Sequence, residues 1–320
     1  MERNVMSQRK LITIAGGCYN EVENIEELYT RCCEMMKEFP QYDFEFLFSD
    51  NYSTDGTRDL IRNLAKKDKR VKAIFNAANY GHIRSPFYGM LQAKGDAVVS
   101  MCTDLQDPPE KIAEMIREWE KGAKVVIAVR SDTECGIVME SLRRLYYAVL
   151  RKASQEQSVV SGFTGFGLYD RSFMEALKLF KEPYPYFRGL VSEIGLKRVE
   201  LPFVQPKRKH GVTKNNFFTL YDMAMTGFVN HTKLPLRLAV FSGVFIGIGS
   251  LLVALVYLVL KLIFWNTFTF GMAPLMIGLF FFSAVQLIFI GIIGEYIGAI
   301  WTQVKNRPLV IEEERINFDD

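Results

Sequence analysis

At 320 residues the chain exceeds the usual size of one domain, so its length favours a large folded domain with an appendage. The net charge of +3 identifies no partner by itself, and the mean hydropathy of +0.06 averages a charged region with an apolar one. The five cysteines all occur by Cys135, at spacings that match no zinc-site pattern. This excludes a cysteine-built zinc site, and in a reducing compartment we expect free thiols.

Strand-like and helix-like segments alternate in the first part of the chain. Strands are predicted at Leu11–Ala15, Phe44–Phe48, Val71–Phe75, Ala97–Met101 and Val125–Val129, and helices at Asn20–Phe39, at Asp59–Lys67 and between the later strands. This alternation predicts a mostly parallel sheet that is covered by helices on both faces. Ligands of such sheets bind beyond the carboxyl ends of the strands, so we expect the chemistry in the loops there.

The loop after the second predicted strand is polar, from Asp50 to Thr57. An ionised Asp50 only accepts hydrogen bonds, which suits the imide N–H of a uracil ring. The alternative is a turn in which Ser53 or Thr54 caps the next helix. Taken alone, the loop favours the turn.

The loop after the fourth predicted strand contains more acidic residues. Asp107, Pro108 and Glu110 have the pattern of a helix start: an N-cap, a proline at the first helical position and a capping-box acid. Asp104 and Gln106 precede them, and their side chains share one face of an extended segment because they are two residues apart. Both offer the hard oxygen ligands that Mg²⁺ or Mn²⁺ accepts while it bridges phosphates.

Two runs without charged residues follow, Leu238–Leu260 and Leu262–Gly294. Each exceeds the ~20 apolar residues that cross a bilayer core, so they predict two transmembrane helices. Basic residues flank the pair, whereas the turn at 265–271 has none; the flanking residues are Lys233, Arg237, Lys305 and Arg307. The bias of basic residues puts both termini in the cytoplasm, and residues 1–10 are too polar for a signal peptide.

A basic cluster precedes the apolar region: Lys197, Arg198, Lys207, Arg208, Lys209 and Lys214. Such a cluster suits anionic lipid or phosphate groups, and a solvated loop is the alternative. Residues 216–237 combine aromatic and basic side chains. This pattern fits either an interfacial helix along a membrane or a core helix of the preceding domain.

An ordered set of motifs covers nearly the whole chain. It comprises Cys18–Glu21, Asp50–Thr57, Asn79–His82, Asp104–Glu110, Val129–Arg130, Arg208–Lys214, Leu234–Arg237 and Gly294–Gly298. In this order the set resembles the polyprenyl-phosphate glycosyltransferases of the GT-A class in family 2. Their familiar members are dolichol-phosphate mannose synthase and the bactoprenol glucosyltransferases, and the chain looks most like the bactoprenol branch.

The resemblance implies a GT-A, Rossmann-like, mostly parallel α/β domain at 1–215. An interfacial segment at 216–237, a transmembrane hairpin at 238–300 and a cytoplasmic tail at 301–320 would follow. It also implies an inverting transfer of a sugar, UDP-linked in the donor, to an undecaprenyl-type phosphate at the cytoplasmic face of the plasma membrane. The implied partners are a nucleotide sugar, a polyprenyl phosphate lipid and the membrane; a homo-oligomer stays open, and no nucleic acid is expected.

The resemblance assigns site residues by position. Those of the donor pocket are Tyr19, Asn20, Glu21, Asp50, Asp104 and Thr213. Asp104 and Gln106 would hold Mg²⁺ or Mn²⁺. The catalytic group comprises Asp104, Arg130, Arg208 and Lys214, because arginine forks suit phosphate oxygens and a cationic clamp stabilises a departing diphosphate.

Three positions depart from the family pattern. Cys102 replaces the first acid of the usual Asp-x-Asp pair, Asn51 replaces a second Asp after the second strand, and Gly165 replaces the acceptor-site acid that is often assigned as the base. These departures leave two alternatives open: an inactive membrane scaffold with a GT-A fold, and transfer to another lipid or glycan. A processive polysaccharide synthase would need more spans and a Gln-x-x-Arg-Trp element, and the sequence has neither.

Overall fold

Alternating buried strands and amphipathic helices form the first part of the fold. The computed structural model describes residues 9–131, 160, 162–206, 234–264 and 272–318. The described strands are β1 (Leu11–Cys18), β2 (Asp43–Asp50), β3 (Val71–Asn76), β4 (Ala97–Cys102), β5 (Val125–Arg130), β6 (Phe163–Asp170), β7 (Arg198–Phe203) and β8 (Glu312–Ile316). The described helices are α1 (Val22–Met36), α2 (Thr57–Lys67), α3 (Gly81–Gln92), α4 (Lys111–Glu120), α5 (Arg171–Leu177), α6 (Phe187–Glu193), α7 (Leu234–Ile263) and α8 (Met272–Val304).

The helix α1 illustrates why the sequence folds in this way. Ile25, Leu28, Cys32 and Met35 recur at helical spacing, and all four are buried against the sheet. Beneath them, Phe46 of β2 is 1% exposed, because strands that are covered on both faces bury nearly every side chain. The helical stripe predicted from the sequence is therefore confirmed.

The strands form one sheet in the order β7-β5-β6-β4-β1-β2-β3-β8. The pairs β1–β2, β1–β4, β2–β3 and β5–β7 are parallel, whereas β6 runs antiparallel to β4 and β5, and β8 runs antiparallel to β3. This confirms the mostly parallel α/β sheet of the GT-A class. The five predicted strands are all present, and each extends further toward the loops that carry the polar motifs.

The strand β1 lies at the point where the strand order reverses, with β2 on one side and β4 on the other. Loops that leave two such strands diverge and open a crevice at their carboxyl ends. Gly17 allows α3 to pack closely against the end of β1, since a Cβ at this position would lie 2.6 Å from Cγ of Pro86 in α3. A Gly17→Ala change would therefore push α3 away from the end of β1.

The C-terminal segment belongs to the same compact unit as the sheet, which comprises Met1–Leu220 and Lys305–Asp320. Its strand β8 pairs with β3, with Ala73 opposite Ile316 and Phe75 opposite Glu314. The sequence boundary that starts a tail at 301 does not anticipate this return to the sheet. The run of charged residues looks like a solvated tail because an edge strand exposes many of its side chains.

The second unit, Tyr221–Val304, contains the helices α7 and α8. The stretches Leu234–Ile263 and Leu275–Val304 are long and apolar enough to cross a membrane, with mean hydropathies of 2.6 and 2.5. The helix α7 already begins at Leu234, before the uncharged run, and α8 continues past Glu295. Residues 216–233 of the expected interfacial segment and the turn at 265–271 lie outside the described residues.

Candidate active site

The ends of three neighbouring strands build the site. In the sheet register, Cys18 at the end of β1 pairs with Asp50 of β2, and Gly17 pairs with Cys102 of β4. The hydroxyl of Thr103 donates to the Gly17 carbonyl oxygen at 3.0 Å, which fixes the loop after β4 to β1. Asp50 and the acidic loop that follows Cys102 therefore flank the same strand end, as the parallel sheet predicts.

The carboxylate of Asp50 is fully buried and is held from one side. Its Oδ2 accepts a hydrogen bond from the Ser53 backbone N–H at 3.0 Å and another from Nε of Arg58 at 2.7 Å. Its Oδ1 is also buried and has no hydrogen-bond partner among the described residues. A buried acceptor without a donor costs free energy. This oxygen is therefore a candidate acceptor for a hydrogen-bond donor of a ligand.

The loop after β1 is joined to the loop after β2. The Asn20 backbone N–H donates to Oγ of Ser53 at 2.9 Å, and the Asn20 side-chain oxygen accepts from the Thr54 backbone N–H at 2.9 Å. The Glu21 backbone N–H donates to the Thr57 hydroxyl at 2.9 Å. Asn20 and Glu21 thus join the two loops that border the predicted donor pocket. Their contact with a nucleotide stays a prediction.

The alternative interpretation of the Asp50–Thr57 loop as a simple helix cap is wrong in its detail. Neither Ser53 nor Thr54 caps α2, since the residue before the helix is Gly56 in a left-handed conformation. The carboxylate of Asp55 accepts from the Thr57 backbone N–H at 3.0 Å instead. Ser53 is engaged with Asn20 because the close approach of the two loops offers it a better-placed donor.

The departure at Asn51 has a structural reason. Its side-chain N–H donates to Oδ1 of Asn79 at 2.8 Å, while its Oδ1 accepts from the Tyr80 backbone N–H at 2.8 Å. An ionised aspartate has no donor and could not make the first of these bonds. Asn51 therefore ties the loop before α3 to the end of β2.

The loop after β4 is a tight turn around Asp104. Oδ1 of Asp104 accepts from the Gln106 backbone N–H at 3.1 Å, Leu105 has a positive φ of 62°, and the Asp104 side chain is almost buried. The structure thus brings the two predicted metal ligands into one turn. Within the described residues, no group of three or more His, Cys, Asp or Glu side chains is placed to hold a metal ion. A cation here would need further oxygens from a ligand.

The predicted helix start at Asp107, Pro108 and Glu110 is wrong. Helix α4 begins at Lys111, and Asp107 turns back to accept from the Cys102 backbone N–H at 2.8 Å. Burial raises the pKa of Asp107 to about 6, and the charge of Asp104 adds to this, whereas the Cys102 N–H and Arg130 oppose it. The hydrogen-bond partner of this carboxylate is therefore the end of β4, and the start of α4 has no side-chain cap.

Arg130 ends β5, and its charge acts on Asp107 beside the Asp104 turn. Its Nη1 donates to Oε1 of Gln205 at 2.7 Å, in the segment after β7. The structure thus brings Arg130 to the same edge of the sheet as Asp104. The other predicted phosphate-binding residues, Arg208, Thr213 and Lys214, lie outside the described residues.

Gly165 lies in β6 with a positive φ of 109°, a conformation that favours glycine. A Cβ at this position would lie 3.8 Å from Cδ1 of Phe187, so there is room for a side chain but the backbone disfavours one. The backbone of β6 at this position therefore favours glycine over the acid that the family usually has there.

Sequence reasoning missed two residues of the site. Arg58 sits in the first turn of α2, where a charged side chain looks solvated, and only its spacing of eight residues from Asp50 could have indicated the contact. Asp107 was assigned to a helix start because Pro108 follows it. Both contacts depend on the direction that a side chain takes, which local spacing does not determine.

Comparisons with known proteins show the family of the chain. The family model described as "Glycosyl transferase family 2" matches residues 17–178, which hold Asp50, Asp104 and Arg130. The chain is 33% identical to the uncharacterized glycosyltransferase YkcC of Bacillus subtilis over 98% of this chain and 97% of the relative. It is 32% identical to the bactoprenol glucosyl transferase of Shigella phage SfII, over 94% of this chain and 96% of the relative.

The prophage bactoprenol glucosyl transferase homolog of Escherichia coli is 31% identical, with 94% of this chain and 97% of the relative covered. These matches run through the sheet and through both apolar helices. Together with the family model, they show the family and the class of enzyme to which the chain belongs. The chain belongs to glycosyl transferase family 2 and is a glycosyltransferase.

Proposed function

We propose that this glycosyltransferase moves a sugar from a UDP-linked donor to an undecaprenyl-type polyprenyl phosphate at the cytoplasmic face of the plasma membrane, with inversion at the sugar carbon. The observation that carries the donor half is the buried Oδ1 of Asp50, which has no hydrogen-bond partner among the described residues. The acceptor half is supported by the relatives named bactoprenol glucosyl transferase, which match 94% or more of this chain.

Recognition of the base follows from the hydrogen-bonding capacity of Asp50. A buried acceptor that lacks a donor costs about 1–3 kcal/mol, and the imide N–H of uracil would remove that cost. Cytosine has an acceptor at the same ring position and would leave the cost in place. Tyr19, Asn20, Glu21 and Thr213 complete the proposed donor pocket.

A divalent cation, Mg²⁺ or Mn²⁺, fits the turn of Asp104 and Gln106 only together with a phosphate ligand. Mg²⁺ in proteins commonly has one or two carboxylates, with substrate phosphates and water completing its coordination. When bound, the ion would neutralise charge on the departing diphosphate. The Gln106 N–H fixes the orientation of the Asp104 carboxylate. Arg130, Arg208 and Lys214 are proposed to meet the remaining phosphate charge.

The proposed acceptor needs no side-chain base. A phosphate monoester loses its second proton near pH 6, so at pH 7 the attacking oxygen is largely an anion already. Gly165 cannot take a proton, and its positive φ disfavours any acid there. What the acceptor requires is positioning against a negatively charged donor, which basic side chains supply.

The membrane topology is supported by the way the chain returns to the sheet. The strand β8 pairs with β3, so Met1–Leu220 and Lys305–Asp320, which lie on either side of the two apolar helices in the chain, belong to one folded unit. An open sheet cannot straddle a bilayer, because its backbone groups would lose their partners there. An even number of crossings must therefore separate the two parts, and α7 and α8 supply two. The flanking lysines and arginines orient both ends to the cytoplasm.

This topology predicts the labelling pattern of two introduced cysteines. A membrane-impermeant thiol reagent added to intact cells should label a cysteine at Thr267 and leave one at Ile311 unlabelled. Ile311 is exposed and uncharged, so permeabilised cells should show labelling there, which controls for access. Labelling of the Ile311 position from outside intact cells would refute the proposed orientation.

The proposed activity is tested by lipid extraction. Membranes that contain the chain, incubated with labelled UDP-sugars, should form a labelled product that partitions with lipids and releases its sugar in mild acid. Donors linked to GDP or CDP should give less than a tenth of that product, since their bases present a different hydrogen-bonding edge. Label that enters only water-soluble glycan would contradict the proposed acceptor.

A further inference from the structure

The C-terminal strand makes a contact that reaches the proposed nucleotide pocket. Arg58 donates from Nε to Oδ2 of Asp50 at 2.7 Å and from Nη1 to Oε2 of Glu313 at 2.7 Å, and its Nη2 donates to the Asn76 carbonyl oxygen. One guanidinium group therefore joins the ends of β2 and β3 to a residue of β8.

The geometry of Arg58 limits how it can move. A guanidinium is planar and presents its donors in a fixed fork, so an anchor at one nitrogen sets the direction of the others. The Arg58 guanidinium carbon also lies 5.1 Å from the ring centroid of Tyr52 and 5.4 Å from that of Phe75. Glu313 thus holds one end of a group whose other end fixes Asp50.

The orientation of the Asp50 carboxylate depends on the contact between Glu313 and Arg58. Its Oδ2 accepts from both Ser53 and Arg58, and this leaves the buried Oδ1 as the oxygen available to a base. Without Glu313, Arg58 keeps the Asn76 carbonyl oxygen and Asp50 keeps the Ser53 N–H, so the carboxylate stays in place but is held less firmly and rotates more easily. The free energy gained from a ligand at Oδ1 then falls, because part of it is used to restore the orientation.

We infer that Glu313 of the C-terminal strand is a positioning residue for the nucleotide base, acting through Arg58 on Asp50. The inference rests on the proposed function, since it assumes that Asp50 binds a uracil. The strand that follows the second apolar helix would then be part of the donor pocket and more than a closing edge of the sheet.

The chain offers a matched control on the same strand. Glu314, the next residue, accepts from Nη2 of Arg62 at 2.7 Å, so it makes an equally short ion pair with α2. Arg62 also donates to Asp59, and its guanidinium carbon lies 4.7 Å from the ring centroid of Phe75, but none of its described contacts is with Asp50. Glu313→Gln and Glu314→Gln therefore remove the same charge from the same strand, but only the first lies in the path to the pocket.

The experiment measures the binding of UDP and CDP, with Mn²⁺ present, to the full detergent-solubilised chain by calorimetry. Glu313→Gln should raise the Kd for UDP about threefold to fivefold, within the range of a half-exposed ion pair, and leave the Kd for CDP unchanged. With a labelled UDP-sugar donor, KM should rise by a similar factor while kcat stays within twofold. Glu314→Gln should leave both nucleotide affinities at the wild-type value.

The outcomes separate the inference from the proposed function. Wild-type protein that binds UDP no better than CDP would contradict the uracil assignment, and the inference with it. Wild-type discrimination that survives intact in Glu313→Gln would overturn the inference alone. Equal losses in Glu313→Gln and Glu314→Gln, or a loss for UDP and CDP alike, would also overturn it, because they indicate a general effect on the strand. Thermal unfolding of both variants checks that each is folded.

Discussion

Replacing Asp104 with asparagine is expected to lower kcat about 10²- to 10³-fold, the usual effect of losing one group that stabilises transition-state charge. Asp104 is the carboxylate that remains at the Asp-x-Asp position, because Cys102 replaces its partner. The amide of asparagine keeps the shape and the hydrogen bond to Gln106 but has no negative charge. The proposed cation would then be held chiefly by the donor phosphates, and excess chelator should abolish wild-type turnover.

Asp96→Asn is the matched control for this substitution. Asp96 precedes β4, whereas Asp104 follows it, and its carboxylate accepts from the Leu11 backbone N–H at 2.8 Å. The asparagine oxygen can still accept that bond, so activity should stay within about threefold. Initial rates with saturating UDP-sugar at several Mn²⁺ concentrations make the comparison. Full turnover of Asp104→Asn, or of the wild type in excess chelator, would remove Asp104 from the proposed mechanism.

Arg208→Ala and Lys214→Ala should each reduce kcat/KM for the lipid acceptor about 10²-fold or more. The expected reason is that two anionic phosphates meet in the reaction, and charge-assisted hydrogen bonds from basic side chains offset their repulsion. Lys197→Ala provides the control, since Lys197 is an exposed member of the same basic cluster that the resemblance does not place at the site. A loss of similar size in Lys197→Ala would indicate general attraction to an anionic membrane.

The pH dependence of the same rate tests whether the acceptor supplies its own negative charge. The acidic limb of kcat/KM should lie near pH 6, where the phosphate monoester titrates, and Gly165→Asp should not raise the rate. Asp107 also titrates near this pH, since burial raises its pKa to about 6. The limb should therefore persist in Asp107→Asn. Its disappearance in that variant would identify a protein carboxylate as the titrating group and end the proposal.

The sequence by itself determined the class of fold and the edge of the sheet that carries the site. Both follow from local patterns: apolar runs of strand length, a helical stripe such as that of Ile25 and Leu28, and polar residues directly after the strands. Two long uncharged runs likewise predict the apolar helices, because length and hydropathy depend on composition alone. Asp104 was assigned in this way because it follows the fourth strand, whereas Asp50 was assigned through the family resemblance.

Only the tertiary structure decided how side chains turn at that edge. Asp107 binds the Cys102 N–H instead of capping a helix, and Arg58 reaches both Asp50 and a strand 255 residues further along the chain. The pairing of β8 with β3 was likewise decided only by the tertiary structure. Such contacts join residues that are distant in sequence, and they form because a buried charge or an unpaired N–H must find a partner wherever the fold provides one. Local spacing holds no information on that choice.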